Sequence, residues 1–407
     1  MATFARRANR HNTTMETFFT THAFLIENIN SPIRRSLMDR IDWGQRVIGI
    51  KGPRGVGKTT FLLQYAKEHF DLPLRQCLYI NMNNFYFQGR GIVDFAEEFI
   101  KYGGKVLLID QAFKHPDWCQ EILTCYERFP SLRIVYTTSS VERYDKDFEA
   151  LNRIGHCYCL HGFSFREFVN LQTNAELRSY SMEELLRDHE QILKNVLPLV
   201  RPWNYLQAYL HHGYYPLFTE TRNFSDNLLK SINMMLEVDV LFIKQIELKY
   251  LSRIKKLLYL LATAGTMAPN ISKLAEEVKT SRATVMNYIK DLEEARLINL
   301  VYKEGESFPK KPAQIMAHNT NLMYSVYPEG VSEQEVMETF FTNSLWRHHS
   351  VNAGKKPGCF RIDGKYDICI CDKNKRVRND NHTIYAKYNT EVGRGNEIPL
   401  WLFGFLY

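Results

Sequence analysis

The sequence predicts an α/β protein in which a parallel sheet is built around a glycine-rich loop, with helical and smaller mixed segments behind it. Two observations carry this expectation. Between about Gly44 and Phe163, short β-rich runs alternate with helical ones, the pattern of parallel strands joined by crossover helices. Within that region, Gly52-Pro53-Arg54-Gly55-Val56-Gly57-Lys58-Thr59 fits GxxxxGK[ST] and is followed by Thr60. It lies between the apolar run Val47–Ile50 and an amphipathic segment beginning at Phe61, the strand and helix that a phosphate-binding loop requires. The fold expected is therefore of the P-loop NTPase type.

The strands expected are Arg46–Ile50, Cys77–Met82, Lys105–Asp110, Arg133–Thr138 and His156–Leu160, with helices over Thr59–His69, Val93–Tyr102 and Asp117–Phe129. After Phe163 the strand signal fades. Ser181 and Glu184 form a capping box, and helical patterns run on to about Ala264. Residues 253–305 read as three short helices and a strand pair, the plan of a winged helix with Ser281–Ala295 as its recognition helix. Phe308–Pro312 reads as a joint. Ser332 with Glu335 caps a further helix, and Phe360–Ile370 and Leu400–Tyr407 read as strands of a small α+β unit. The first 15 residues, with Arg6, Arg7 and Arg10, read as a flexible arm or as sequence upstream of a start at Met15.

Length and composition limit the alternatives. At 407 residues the chain implies two or three domains, and 45% apolar with 24% charged residues excludes a largely disordered or collagen-like chain. Without a long apolar run or signal-type core, a cytoplasmic protein with no membrane partner is expected; eight cysteines then imply thiols rather than a disulfide framework. The net charge of +7 is localised. Residues 251–305 carry nine Lys/Arg against six Asp/Glu and residues 351–407 ten against six, while the rest is neutral. That suggests an acidic partner such as DNA, or simply a solvated basic face.

The loop explains itself chemically. Glycines let backbone N–H groups curl around phosphates, Lys58 supplies a point charge, and Thr59 offers a hydroxyl to Mg2+. Asp110, ending Val106-Leu-Leu-Ile, is the second metal ligand. Gln111 follows it where a catalytic glutamate would be expected. An amide orients water but cannot take its proton, and losing a positioned base costs ~10² to 10⁴ in rate. ATP binding with slow hydrolysis is expected, unless Asp117 or Glu121 acts as a replacement base.

These residues, together with Leu108-Ile-Asp110-Gln-Ala-Phe-Lys-His-Pro116-Asp-Trp118, Val135–Ser140, His161–Phe168 and the ending Ile398–Tyr407, resemble a bacterial family of AAA-type P-loop ATPases. Its members carry a winged helix and a C-terminal restriction-nuclease-like domain. Behind a flexible arm expected over 1–25, the resemblance implies an ATPase domain over 26–165, a helical lid over 166–250, a winged helix over 251–307 and a degenerate nuclease-like α+β domain over 308–407. It implies that Ser139 and Ser140 sense the γ-phosphate and that Pro216, in Gly213-Tyr-Tyr-Pro216, lies in the lid over the nucleotide. Arg153 falls where the family has an arginine pair, implying either an arginine finger across a homo-oligomer boundary or an ordinary surface arginine.

In the last domain, Asp363 and Lys373 align with the nuclease set while Cys369 stands at the glutamate position, so cleavage is not expected unless Asp367 or Asp372 substitutes. Cys359, Cys369 and Cys371 read either as a zinc site or as strand thiols. Arg282, Asn287 and Lys290 could face DNA, yet the acidic residues around them favour an intramolecular lever. The function expected is an ATP-dependent switch acting on DNA or a partner protein; the alternative is a DNA-binding or nuclease-related protein in which ATP is structural.

Overall fold

The computed structural model describes residues 2–29, 31–141, 146–219, 223–265, 268–327, 329–376 and 382–407, with side chains except those of residues 2–13, 146 and 147. The chain divides into two compact units, residues 1–161 and 162–407. The first is the α/β fold expected. Strands β1 (Val47–Lys51), β2 (Cys77–Asn81), β3 (Val106–Asp110), β4 (Arg133–Thr138) and β5 (His156–Cys159) form one parallel sheet in the order β2-β3-β4-β1-β5. Each strand falls within a residue of the run read from sequence. The reason is visible in β3, whose five residues are all buried: a strand covered on both faces reads as an unbroken apolar run.

The N-terminus corrects the sequence reading. Ala2–Asn28 is a helix rather than a flexible arm. From Met15 on it presents Met15, Phe19, His22 and Ile26 to the core, a three- and four-residue spacing that the early arginines obscured. His22 Nδ1 accepts a hydrogen bond from the Tyr79 N–H of β2 at 3.2 Å, and Arg75 donates to Glu16 at 2.9 Å.

In the second unit both expected capping boxes form, at Ser181/Glu184 and Ser332/Glu335. Helices Leu251–Thr263, Ile271–Glu277 and Arg282–Glu294 are followed by an antiparallel hairpin of β6 (Ile298–Val301) and β7 (Gln314–Ala317). The Phe308–Pro312 stretch lies inside that hairpin connection rather than at a joint between bodies. A mixed sheet follows: β8 (Val351–Ala353), β9 (Cys359–Ile362), β10 (Tyr366–Asp372), β11 (Thr383–Tyr388) and β12 (Glu397–Pro399), in the order β12-β11-β10-β9-β8.

The expected single strand over Phe360–Ile370 is thus two, turned at Asp363-Gly364. The expected strand Leu400–Tyr407 is instead a 3-10 helix over Leu400–Phe405. All six of its residues are buried, so an apolar run without alternation is wedged into the core by a tight helical turn instead of lying on a sheet. One core joins Phe165, Phe168 and Tyr209 to Phe340, Phe403 and Phe405, so the expected lid and terminal unit share their interior.

A disulfide corrects the cysteine reading. Cys359 and Cys369 face each other across β9 and β10 with Cα atoms 4.0 Å apart and are bonded. Cys371 remains a buried thiol, and among the described residues no group of three or more His, Cys, Asp or Glu could hold a metal ion. The zinc alternative therefore fails.

Candidate functional site

The site sits at the C-terminal ends of the parallel strands. β1 delivers the chain into the loop Gly52–Gly57, and the helix Lys58–His69 leaves it. Gly52 is dictated by close approach: a Cβ there would lie 2.2 Å from the Leu160 carbonyl oxygen. Gly55 and Gly57 adopt φ of 84° and 92°, which only glycine takes without strain. Val56 is buried and pins the loop, while Arg35, itself buried, donates to the Val56 carbonyl at 3.3 Å and to the His161 carbonyl at 2.6 Å. Lys58 Nζ bridges the Gly52 and Pro53 carbonyls at 2.7 and 3.0 Å. Arg54 and Thr60 are half-buried beside it.

Asp110 is the centre of the arrangement. It is 1% exposed, and four side chains donate to its carboxylate. Thr59 Oγ1 (2.8 Å), Tyr79 OH (2.8 Å) and Asn81 Nδ2 (3.1 Å) reach Oδ2, and Thr137 Oγ1 reaches Oδ1 at 2.5 Å. Burial and the adjacent carboxylate raise the Tyr79 pKa far above its ordinary value, so this hydroxyl remains a donor. Thr59 and Asp110 are thus brought together as the motif requires, and both are hard oxygen ligands of the kind Mg2+ takes.

Tyr79, Asn81 and Thr137 escaped the sequence reading. Parallel pairing sets Asn81 opposite Asp110, and neighbouring β4 supplies Thr137. The one available signal was the polar residue ending each strand at this edge of the sheet.

Gln111 has φ of 54° and donates its backbone N–H to Thr137 Oγ1 at 2.8 Å. Glu121, the suggested replacement base, is occupied: its carboxylate caps the helix Ile92–Lys101, accepting from the Ile92 and Val93 N–H groups, with His115 Nε2 at 3.3 Å. Asp117 is exposed at the start of the helix Trp118–Arg128. Ser139 is buried and its Oγ accepts from the Val141 N–H at 3.2 Å, closing its own turn, whereas Thr137 is the β4 residue touching Asp110. Arg153 is exposed on the helix Lys146–Ile154.

Pro216 belongs to the second unit, where it opens a short 3-10 turn. The preceding Tyr214 N–H donates to Asn321 Oδ1 at 2.9 Å, and Asn319 Nδ2 reaches Tyr215 OH at 3.2 Å. Asp363 and Lys373, the two residues aligned with the nuclease set, lie at opposite ends of β10. Asp363 lies in the β9–β10 turn, bound by His349 Nδ1 at 2.6 Å and the Ser350 N–H at 2.8 Å. Lys373 follows the far end of β10, a strand of seven residues at about 3.3 Å each. The lysine that is buried in this sheet is Lys387, paired with Glu397 at 2.9 Å.

Residues 44–169 match the family model of an AAA domain, and residues 204–315 match a domain of unknown function. The uncharacterized protein MJ1637 of Methanocaldococcus jannaschii is 24% identical over 280 residues, covering 66% of this chain and 59% of that protein. The chain therefore spans less than two thirds of that relative's length. Among solved structures, C. elegans PCH-2 is 16% identical with a TM-score of 0.24, covering 44% of this chain and 47% of its own. Cdc6p from Pyrobaculum aerophilum is 14% identical with a TM-score of 0.24, covering 72% and 87%. The AAA domain match over residues 44–169 supports an AAA-type P-loop ATPase. Among the described residues no helix is long and apolar enough to cross a membrane.

Proposed function

We propose that the chain is an ATP-binding molecular switch in which Gln111 makes hydrolysis slow. The observation that carries this is the 2.8 Å contact of Thr59 Oγ1 with Asp110 Oδ2 at the exit of the glycine loop. The N–H groups of Gly52–Gly57 and the start of the helix at Lys58 would bind the phosphates, and Lys58 would turn from the Gly52 and Pro53 carbonyls to meet them. Thr59 and Asp110 would hold Mg2+, which when bound neutralises phosphate charge.

At Gln111 the side-chain amide can orient a water through hydrogen bonds but cannot accept its proton. With Glu121 committed to capping a helix, exposed Asp117 is the one left of the two candidate replacement bases. Ser139 is read as a γ-phosphate sensor, Arg153 as a finger supplied to a second copy, and Pro216 as part of a lid. Residues 251–307, with their three helices, are read as a winged helix, and residues 308–407, with the mixed sheet, as a degenerate nuclease-like domain. Together they would pass the nucleotide state to DNA or a partner protein.

Nucleotide binding and single-turnover hydrolysis, measured on one preparation of wild type, Lys58→Ala and Gln111→Glu, test the reading. Tight ATP binding with slow turnover, lost in Lys58→Ala, supports it. Fast turnover in wild type sinks the switch, and affinity unchanged in Lys58→Ala sinks the site.

A further inference from the structure

We propose that a cleft in the second unit is a docking site for the sugar-phosphate backbone of a nucleic-acid duplex. The cleft, of about 680 Å³, lies between the β6–β7 connection and the turn joining β8 to β9. Its charged residues are Lys303 and Glu304 on the connection, Lys355 and Lys356 on the turn, and Arg361 and Asp367 on β9 and β10. Arg361 and Asp367 pair with each other at 3.0 Å and largely cancel. Lys303, Lys355 and Lys356 are exposed, and among the described residues their ammonium groups have no ion-pair or hydrogen-bond partner, against the single charge of Glu304. This is where the two basic segments of the sequence meet.

Both walls are built rather than loose. The Ala353 N–H donates to the Tyr302 carbonyl at 2.8 Å, and the Ala313 N–H to the Val301 carbonyl at 2.9 Å. The Gly354 N–H donates to the Cys359 carbonyl at 2.9 Å, where a Cβ on Gly354 would come within 2.6 Å of that oxygen. The disulfide from Cys359 to Cys369 then ties the base of the lysine turn to β10.

The lining selects the ligand. Its apolar members are only Ala313, Ala353 and Pro357, without an aromatic ring. Small-molecule sites are mostly apolar and aromatic, and single strands are held by stacking on aromatic rings, so neither fits. Three flexible ammonium groups suit closely spaced phosphates, whose counterions are released on binding and which carry no sequence information. An acidic peptide lacks that charge density.

The test is the salt dependence of binding of the full chain to a 30-base-pair duplex, in two unrelated sequences, by fluorescence anisotropy between 50 and 200 mM salt. The triple variant Lys303→Ala, Lys355→Ala, Lys356→Ala should reduce the slope of log affinity against log salt by about 2.7, roughly 0.9 for each phosphate that a lysine no longer neutralises. The effect should be equal for both sequences, with the melting temperature and ATP affinity unchanged. An unaltered slope overturns the proposal. So does a loss that follows Arg282→Ala instead, displacement of the duplex by polyglutamate at equal charge concentration, or failure of the wild type to bind at 50 mM. Because ATP affinity is read on the same samples, none of these outcomes touches the nucleotide reading.

Discussion

The hydroxyl of Thr59 donates to Asp110 Oδ2 at 2.8 Å, joining the first turn of the P-loop helix to the end of a strand two places away in the sheet. Two residues 51 positions apart thereby share the one point where a phosphate-bound cation would sit. If this pairing defines the metal site, Asp110→Asn and Thr59→Ala should each weaken ATP binding at least tenfold in magnesium and far less in EDTA. Calorimetry with and without the metal checks it.

The oxygen that Thr59 touches also takes bonds from Tyr79 and Asn81. Tyr79→Phe frees that oxygen of one donor. The expected result is tighter magnesium-dependent nucleotide binding, together with a loss of about 2 kcal/mol in stability without nucleotide, the worth of a hydrogen bond to a charged group. Urea denaturation beside nucleotide titration separates the two effects.

Gln111→Glu should raise single-turnover hydrolysis by ~10² to 10⁴, restoring a proton acceptor beside Asp110. Gln111 sits in the left-handed region with φ of 54°, a backbone cost that a glutamate of the same branching and length shares. No gain would show that the slow step lies elsewhere.

Burial lowers the His22 pKa from 6.5 to about 4, and its Nδ1 serves as an acceptor only when neutral. Between pH 4 and 6.5 the unfolded chain binds a proton that the folded one refuses. Stability from this group is therefore present above pH 6.5 and lost as pH falls toward 4, by at most about 3 kcal/mol. Urea midpoints at pH 4.5 and 7 should differ more for wild type than for His22→Gln.

Alkylation of the denatured chain should label six of the eight cysteines without reductant and all eight after reduction, because Cys359 and Cys369 are joined. Replacing both by serine should cost about 3 kcal/mol, the chain-entropy value for a loop of roughly ten residues.

The first unit's sheet and its phosphate loop are legible along the chain. Strands buried on both faces read as continuous apolar runs, and a glycine loop between strand and helix is a local pattern, so each is written within a few residues. Thr59 and Asp110 are legible as partners too, because their chemistry demands one another. Folding alone supplies the non-local features. The donors Tyr79, Asn81 and Thr137 reach Asp110 through the pairing of β2 and β4 with β3, and Cys359 meets Cys369 through the register of β9 on β10. The same holds for Glu121, whose role as a cap depends on a helix about thirty residues upstream, and for Leu400–Phe405, bent into a helical turn by burial on every side. Periodicity along a chain reports which face is buried; it carries no term for what that face will meet.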